Sequence, residues 1–156
     1  FTIEQTIKAH KEIANTIAEV GRELNKEYII ISRSDSTLRG HYPLETKLLK
    51  DIENQNGKKI DGEILCPFFK EGGRFTINNI HYVKYDNKLV PAGETEFAKD
   101  KTFGYTSSNM CEYIEEKTNG EFKKENVTCI SLDDIRSLNF DKIEKQLLEV
   151  NDFNKL

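Results

Sequence analysis

The chain has 156 residues, of which 37% are hydrophobic and 32% charged, and a formal net charge of −4. That length can enclose the core of about one domain, and its apolar periodicities set it apart from a disordered chain. Lysines interleaved with glutamates and aspartates argue against nucleic acid as a partner, and no apolar run approaches the roughly 20 residues that span a bilayer.

Residues 2–25 form the clearest element. Thr2 with Gln5 makes a capping-box pattern, and Ile3, Ile7, His10, Ile13, Ala14, Ile17, Val20 and Leu24 recur at three- and four-residue steps, which predicts an amphipathic helix. His10 lies on that stripe and reads as a partly buried helix histidine. The β-branched run over 27–32 predicts a strand buried on both faces. Pro43 suits the first turn of a second helix that continues through Leu44, Leu48, Leu49 and Ile52. Residues 63–69, EILCPFF, predict a second buried strand that stops at Pro67.

Residues 80–93 alternate in polarity around Asp86-Asn87, the pattern of a hairpin. A helix is expected over 107–118 with Ser107 or Ser108 as its cap, and a third buried strand over 126–132. A final amphipathic helix over 140–150 should turn Ile143, Leu147 and Leu148 inward. This order predicts an α/β fold: a mainly parallel sheet flanked by helices in three layers, with a β-hairpin excursion around 80–90.

The odd cysteine count, Cys66, Cys111 and Cys129, with no CxxC and no Cys/His pair at zinc spacing, reads as reduced, buried thiols of a cytoplasmic protein. His10, His41 and His81 are equally scattered, so a metal site built from protein ligands alone is not expected. The chain has no GxxxxGK[ST] phosphate loop, GxGxxG, GxSxG or HExxH.

Chemistry concentrates in two loops that leave predicted strands at their carboxyl ends, where open α/β sheets bind ligands. The first runs from Arg33 to Gly40 and the second from Pro67 to Arg74. If the strands are near neighbours, Arg39 and Arg74 overhang one crevice, and a guanidinium fork grips carboxylate or phosphate. Ser36 and Thr37 offer partners to sugar-like hydroxyls, Gly40, Gly72 and Gly73 allow close backbone approach or positive φ, and Asp35 could accept a substrate proton. The residues alone leave a second reading open. Asp35 or Ser36 would cap a turn, Arg39 would pair with Glu45 or Asp35, and Arg74 would hold a neighbouring domain.

Three blocks in order carry a resemblance: Asp35 to Gly40 as DSTLRG after Arg33; Pro67, Phe69, Gly73 and Arg74; then His81, Tyr82 and Val83 with Thr95, Glu96, Phe97, Ala98 and Asp100. They resemble the N-terminal substrate-binding domain of the four-carbon acid sugar kinases, formerly domain of unknown function 1537. Some members of that family carry the label type III effector Hrp-dependent outer protein. Arg33 stands where the family commonly has lysine, Phe68 and Lys70 replace alanine and proline, and Lys101 replaces proline. The resemblance spans roughly residues 28–100.

What it implies is an ATP-dependent kinase for threonate, erythronate or 3-oxo-tetronate, with Arg33, Ser36, Thr37, Arg39, Gly40, Gly73 and Arg74 at the substrate and Asp35 as catalytic base. Residues 1–156 would be a partial N-terminal domain, without the family's opening strand and its acidic motif, which leaves the identity of the base open. ATP with Mg²⁺ would bind mainly through a C-terminal nucleotide-binding domain outside this chain, and the fragment alone would be inactive. The partners implied are a small sugar acid and that second domain, with no membrane and with a homo-oligomer left open. The alternative is a non-catalytic effector or small-ligand-binding protein of the same fold.

Overall fold

A computed structural model describes all residues, 1–156, as two compact units: Phe1–Arg33 with His41–Ile60, and Ser34–Gly40 with Asp61–Leu156. The first unit is helical. Its α1, Ile3–Glu23, packs on α2, Leu44–Gln55. The capping box forms as expected: the Thr2 hydroxyl accepts from the Gln5 amide while the Gln5 side chain accepts from the Thr2 amide. The buried line of α1 is Thr6, Ala14 and Ala18 at multiples of four residues, and Ile3, Ile13, Val20 and Leu24 remain exposed. Small side chains sit where a second helix comes close, and the larger residues border the contact. His10, on the same line, donates from Nδ1 to the Thr6 carbonyl, 2.9 Å away, as a satisfied helix histidine does.

The apolar run over 27–32 corrects its expectation. It is extended but joins no ladder, and Ile29 and Ile31 are 88% and 77% exposed. A buried strand requires partners for its backbone, and no segment of this chain pairs with it. Only Tyr28 is anchored, its hydroxyl donating to Glu53 at 2.9 Å.

The second unit combines helices with two small sheets, so the architecture is α/β. The parallel pair is β1, Gly62–Glu63, beside β5, Asn154–Lys155; the antiparallel sheet is β2, Arg74–Ile77, β3, Ile80–Tyr85, and β4, Lys88–Pro91. The hairpin lies where expected, with Asp86-Asn87 joining Tyr85 to Lys88. Strand β2 is an addition, joined to β3 by Asn78-Asn79, both at positive φ. Asparagine tolerates that conformation, and a two-residue Asn-Asn connection between RFTI and IHYV was a readable hairpin signal.

The predicted strand over 63–69 survives only at its start, extended by the Leu65 amide donating to the Leu156 carbonyl at 2.8 Å. The third predicted strand, 126–132, is irregular, though the Thr128 amide donates to Lys155 at 2.9 Å. Lys155 is fully buried and pairs with Glu63 at 2.6 Å, so its charge is closed off within the parallel pair.

Helix α3, Met110–Lys117, is capped by Asn109, whose side chain accepts from the amides of Cys111 and Glu112. Ser107 and Ser108 instead bond to the Asn109 and Gly93 amides, which corrects the expected cap. Two short helices follow, α4, Leu132–Arg136, and α5, Phe140–Leu148. The first was missed although Ser131 and Asp134 form a capping pattern before it, and on the second Leu147 and Leu148 are 41% and 78% exposed rather than inward. Val83, Ala92, Ala98, Tyr105, Met110, Tyr113, Ile114 and Phe153 form the core of this unit. No helix is long and apolar enough to cross a membrane.

Candidate functional site

The loop Ser34–Gly40 belongs to the second unit, together with the second arginine loop. Its own geometry is a tight turn around Asp35. The Asp35 carbonyl accepts from the Leu38 amide at 2.9 Å, and its Oδ1 accepts from the Thr37 amide at 3.2 Å. Oδ2 accepts from the Thr37 hydroxyl and from Arg39 Nε, the latter at 2.7 Å; Arg39 Nε also reaches Thr37 Oγ1 at 3.0 Å. Burial works to raise the Asp35 pKa, but the Thr37 hydroxyl and amide and the Arg39 charge overcome it and hold the carboxyl below its ordinary value. Asp35 is therefore an anion that aims Arg39.

Rigidity comes from outside the loop. Three ring donors take three consecutive carbonyls: His81 Nε2 bonds Ser36 at 2.8 Å, the Tyr105 hydroxyl bonds Thr37 at 2.8 Å, and the Tyr113 hydroxyl bonds Leu38 at 3.1 Å. All three side chains are buried, with His81 at 0% exposure. A carbonyl only accepts, so His81 carries its proton on Nε2, and Nδ1 accepts from the Thr76 hydroxyl at 2.9 Å. Burial is the main cause that keeps His81 below its ordinary pKa; the Ser36 carbonyl opposes it and the Arg74 charge adds to it. Burial, with the Asp35 charge nearby, pushes the Tyr105 phenol up to about 12.

The positive φ in this loop belongs to Leu38, at 66°, and not to Gly40. A leucine in the left-handed region is strained, and its backbone is held from both sides: the amide by Asp35, the carbonyl by Tyr113. In the second loop Gly73 does take positive φ, at 76°, closing the turn Lys70–Gly72, while Gly72 lets the Phe69 ring approach where a Cβ would lie 2.4 Å from it.

Phe97 joins the two loops. The Arg39 guanidinium carbon lies 5.0 Å from its ring centroid and that of Arg74 lies 5.6 Å away, both within cation–π range. Arg74 has no carboxylate partner; one Nη donates to the Gly72 carbonyl, and Nε is buried without an acceptor. Beside them the Tyr85 hydroxyl donates to Glu96 at 2.5 Å. That bond and the two arginine charges help hold Glu96 below the usual carboxylate range, while burial and Glu96 push the Tyr85 phenol up to about 12.

The predicted residues thus divide. Asp35, Ser36, Thr37, Arg39 and Gly40 form the loop, Arg39 and Arg74 meet at Phe97, and Gly73 shapes the Arg74 turn. The Arg39–Asp35 pairing weighed from sequence is present, and it coexists with free Arg39 Nη donors. The Ser36 hydroxyl has no partner in the chain, whereas that of Thr37 is engaged with Asp35. Arg33 belongs to the helical unit, where it is exposed. Sequence reasoning missed Phe97 and His81 as site residues although both stood in the quoted family blocks; Tyr105 and Tyr113 had no signal at all.

Two arginines with donors to spare on one aromatic ring can hold a carboxylate or phosphate, and a free serine hydroxyl can hold an alcohol. No group of three His, Cys, Asp or Glu side chains is placed to share a metal ion. A family model described as "Sugar-binding N-terminal domain" matches residues 3–153. No curated protein matches the chain.

Proposed function

The chain belongs to the sugar-binding N-terminal domain family, and from that premise we propose that it is the substrate-binding part of an ATP-dependent kinase for a four-carbon sugar acid of the threonate, erythronate or 3-oxo-tetronate type. The observation that carries this reading is Arg74, whose buried Nε lacks an acceptor while its guanidinium shares the Phe97 ring with Arg39. A buried donor without a partner costs about 1–3 kcal/mol, and a substrate carboxylate would supply the acceptor. Ser36 and the backbone around Gly40 and Gly73 would meet the hydroxyls. Thr37 positions Arg39.

ATP with Mg²⁺ would supply the transferred phosphoryl group and charge neutralisation; we assign its binding to a nucleotide-binding domain of a longer, cytoplasmic protein. Phosphoryl transfer asks the protein mainly for positioning and charge stabilisation. Asp35 fits that demand, ionised and fixed, and would take the proton of the attacking hydroxyl. The same low basicity favours a second reading, in which the domain binds its acid without catalysis, as a sensor or effector would.

The test is ATP consumption by the full-length protein over a panel of four-carbon sugar acids. Turnover on one acid, with KM raised on the order of 10- to 150-fold in Arg74→Ala, supports the kinase. Binding of an acid that weakens in Arg74→Ala with no ATP consumed supports the second reading. A folded, ATP-binding protein that neither binds nor phosphorylates any of them removes both.

A further inference from the structure

Cys111 and Cys129 are 18 residues apart in sequence, and their sulfurs lie 3.3 Å apart in the fold. The sequence reading treated the cysteines as isolated; here two of the three are in contact, and both are half-buried. Each backbone is held separately: the Cys111 amide by the Asn109 cap at 2.9 Å, and the Cys129 carbonyl by Gln146 of α5 at 3.0 Å. No histidine or carboxylate completes a metal-binding group around them. Two thiols in contact on independently fixed backbones are placed for disulfide formation.

We propose that Cys111 and Cys129 are a reversible oxidation site that closes to an intramolecular disulfide by exchange with a low-molecular-weight disulfide such as oxidised glutathione. Burial and the neighbouring Cys129 push the Cys111 thiol up to about 12, so the exchange draws on a small thiolate fraction. One of the two thiols, on losing its proton, attacks one sulfur of the external disulfide, forming a mixed disulfide and releasing one thiolate. The other thiol then attacks the protein sulfur of that mixed disulfide, loses its proton as the protein disulfide forms, and expels the second thiolate. The balance is two protein thiols and one external disulfide giving one protein disulfide and two external thiols. The bond would tie α3 to the segment before α4. Tyr113, two residues beyond Cys111 on α3, holds the Leu38 carbonyl, so the tether steadies a support of the arginine loop.

The experiment uses Cys66→Ser, which removes the exposed third thiol. After incubation with oxidised glutathione and unfolding under acid quench, the expected protein has lost two hydrogens, carries no adduct and shows no titratable thiol. Dithiothreitol restores both thiols, peptide mapping joins residues 111 and 129, and the oxidised form melts higher by on the order of several °C. Adding Cys129→Ser abolishes the rise in melting temperature. Two glutathione adducts on Cys66→Ser, or two thiols that persist in the folded protein after prolonged exposure, overturn the proposal.

Discussion

Residues 27–32 and 34–40 follow one another in the chain and invert the usual rule. The apolar run EYIIIS lies in the open with Ile29 and Ile31 exposed, while in the polar SDSTLRG Thr37 and Leu38 are buried. The difference lies in partners. Backbone polar groups enter a protein interior only when paired, and the loop's three carbonyls have His81, Tyr105 and Tyr113. The isoleucines have suitable side chains and no ladder. Hydropathy proposes what is buried; hydrogen-bond partners decide it.

The comparison breaks most severely at His81. His81→Leu leaves the Ser36 carbonyl and the Thr76 hydroxyl without partners inside the protein, and a loss of about 3 kcal/mol is expected in urea unfolding of the variant against wild type. An unchanged midpoint would mean that the loop is not held by this residue. Tyr113→Phe removes one donor and retains the ring, so about 1–2 kcal/mol is expected, with the affinity for the sugar acid we propose falling in step because Leu38 lies next to Arg39. Stability lost with no change in affinity would make Tyr113 merely structural.

Acid should sharpen the same contrast. His81 has a folded pKa below its ordinary 6.5, so the unfolded chain binds the proton more readily. Its contribution is complete above about 6.5 and falls away as pH drops from there towards the depressed folded value. The Asp35 contribution persists further, above its unfolded value near 3.9, and is lost as pH falls through its lowered folded value. Denaturant midpoints from pH 8 to 5 should decline in wild type and flatten in His81→Leu; parallel curves would remove His81 as the cause. The smallest effect is expected on the apolar side: Ile29→Lys should change stability by no more than about 0.5 kcal/mol. A loss several times larger would show that residues 27–32 are covered.

Several features were legible before any coordinates. Thr2 and Gln5 announced the start of α1, and Asp86-Asn87 the hairpin. The DSTLRG word marked the loop that carries Arg39, and GGR the turn that carries Arg74. Strand β2 and helix α4 had signals in Asn78-Asn79 and in Ser131 with Asp134 that were not read. The strands over 27–32 and 126–132 could not be judged from pattern, because a β-branched run is a strand only where another backbone pairs with it. The contact between Cys111 and Cys129 was invisible for the same kind of reason, as neither spacing nor flanking residues encode it.

By itself the sequence determined what neighbouring residues settle among themselves: the capping box of α1, the Asp86-Asn87 turn and helical periodicity, while the structure chose Asp35 over Glu45 as the partner of Arg39. These depend on contacts made within a turn or two of chain. Only the tertiary structure decided that Tyr105 and Tyr113 reach back 68 and 75 residues to the loop, and that Phe97 gathers two arginines from separate segments. Such contacts form only after the intervening chain has folded, and many side chains with the same polarity could serve at either end.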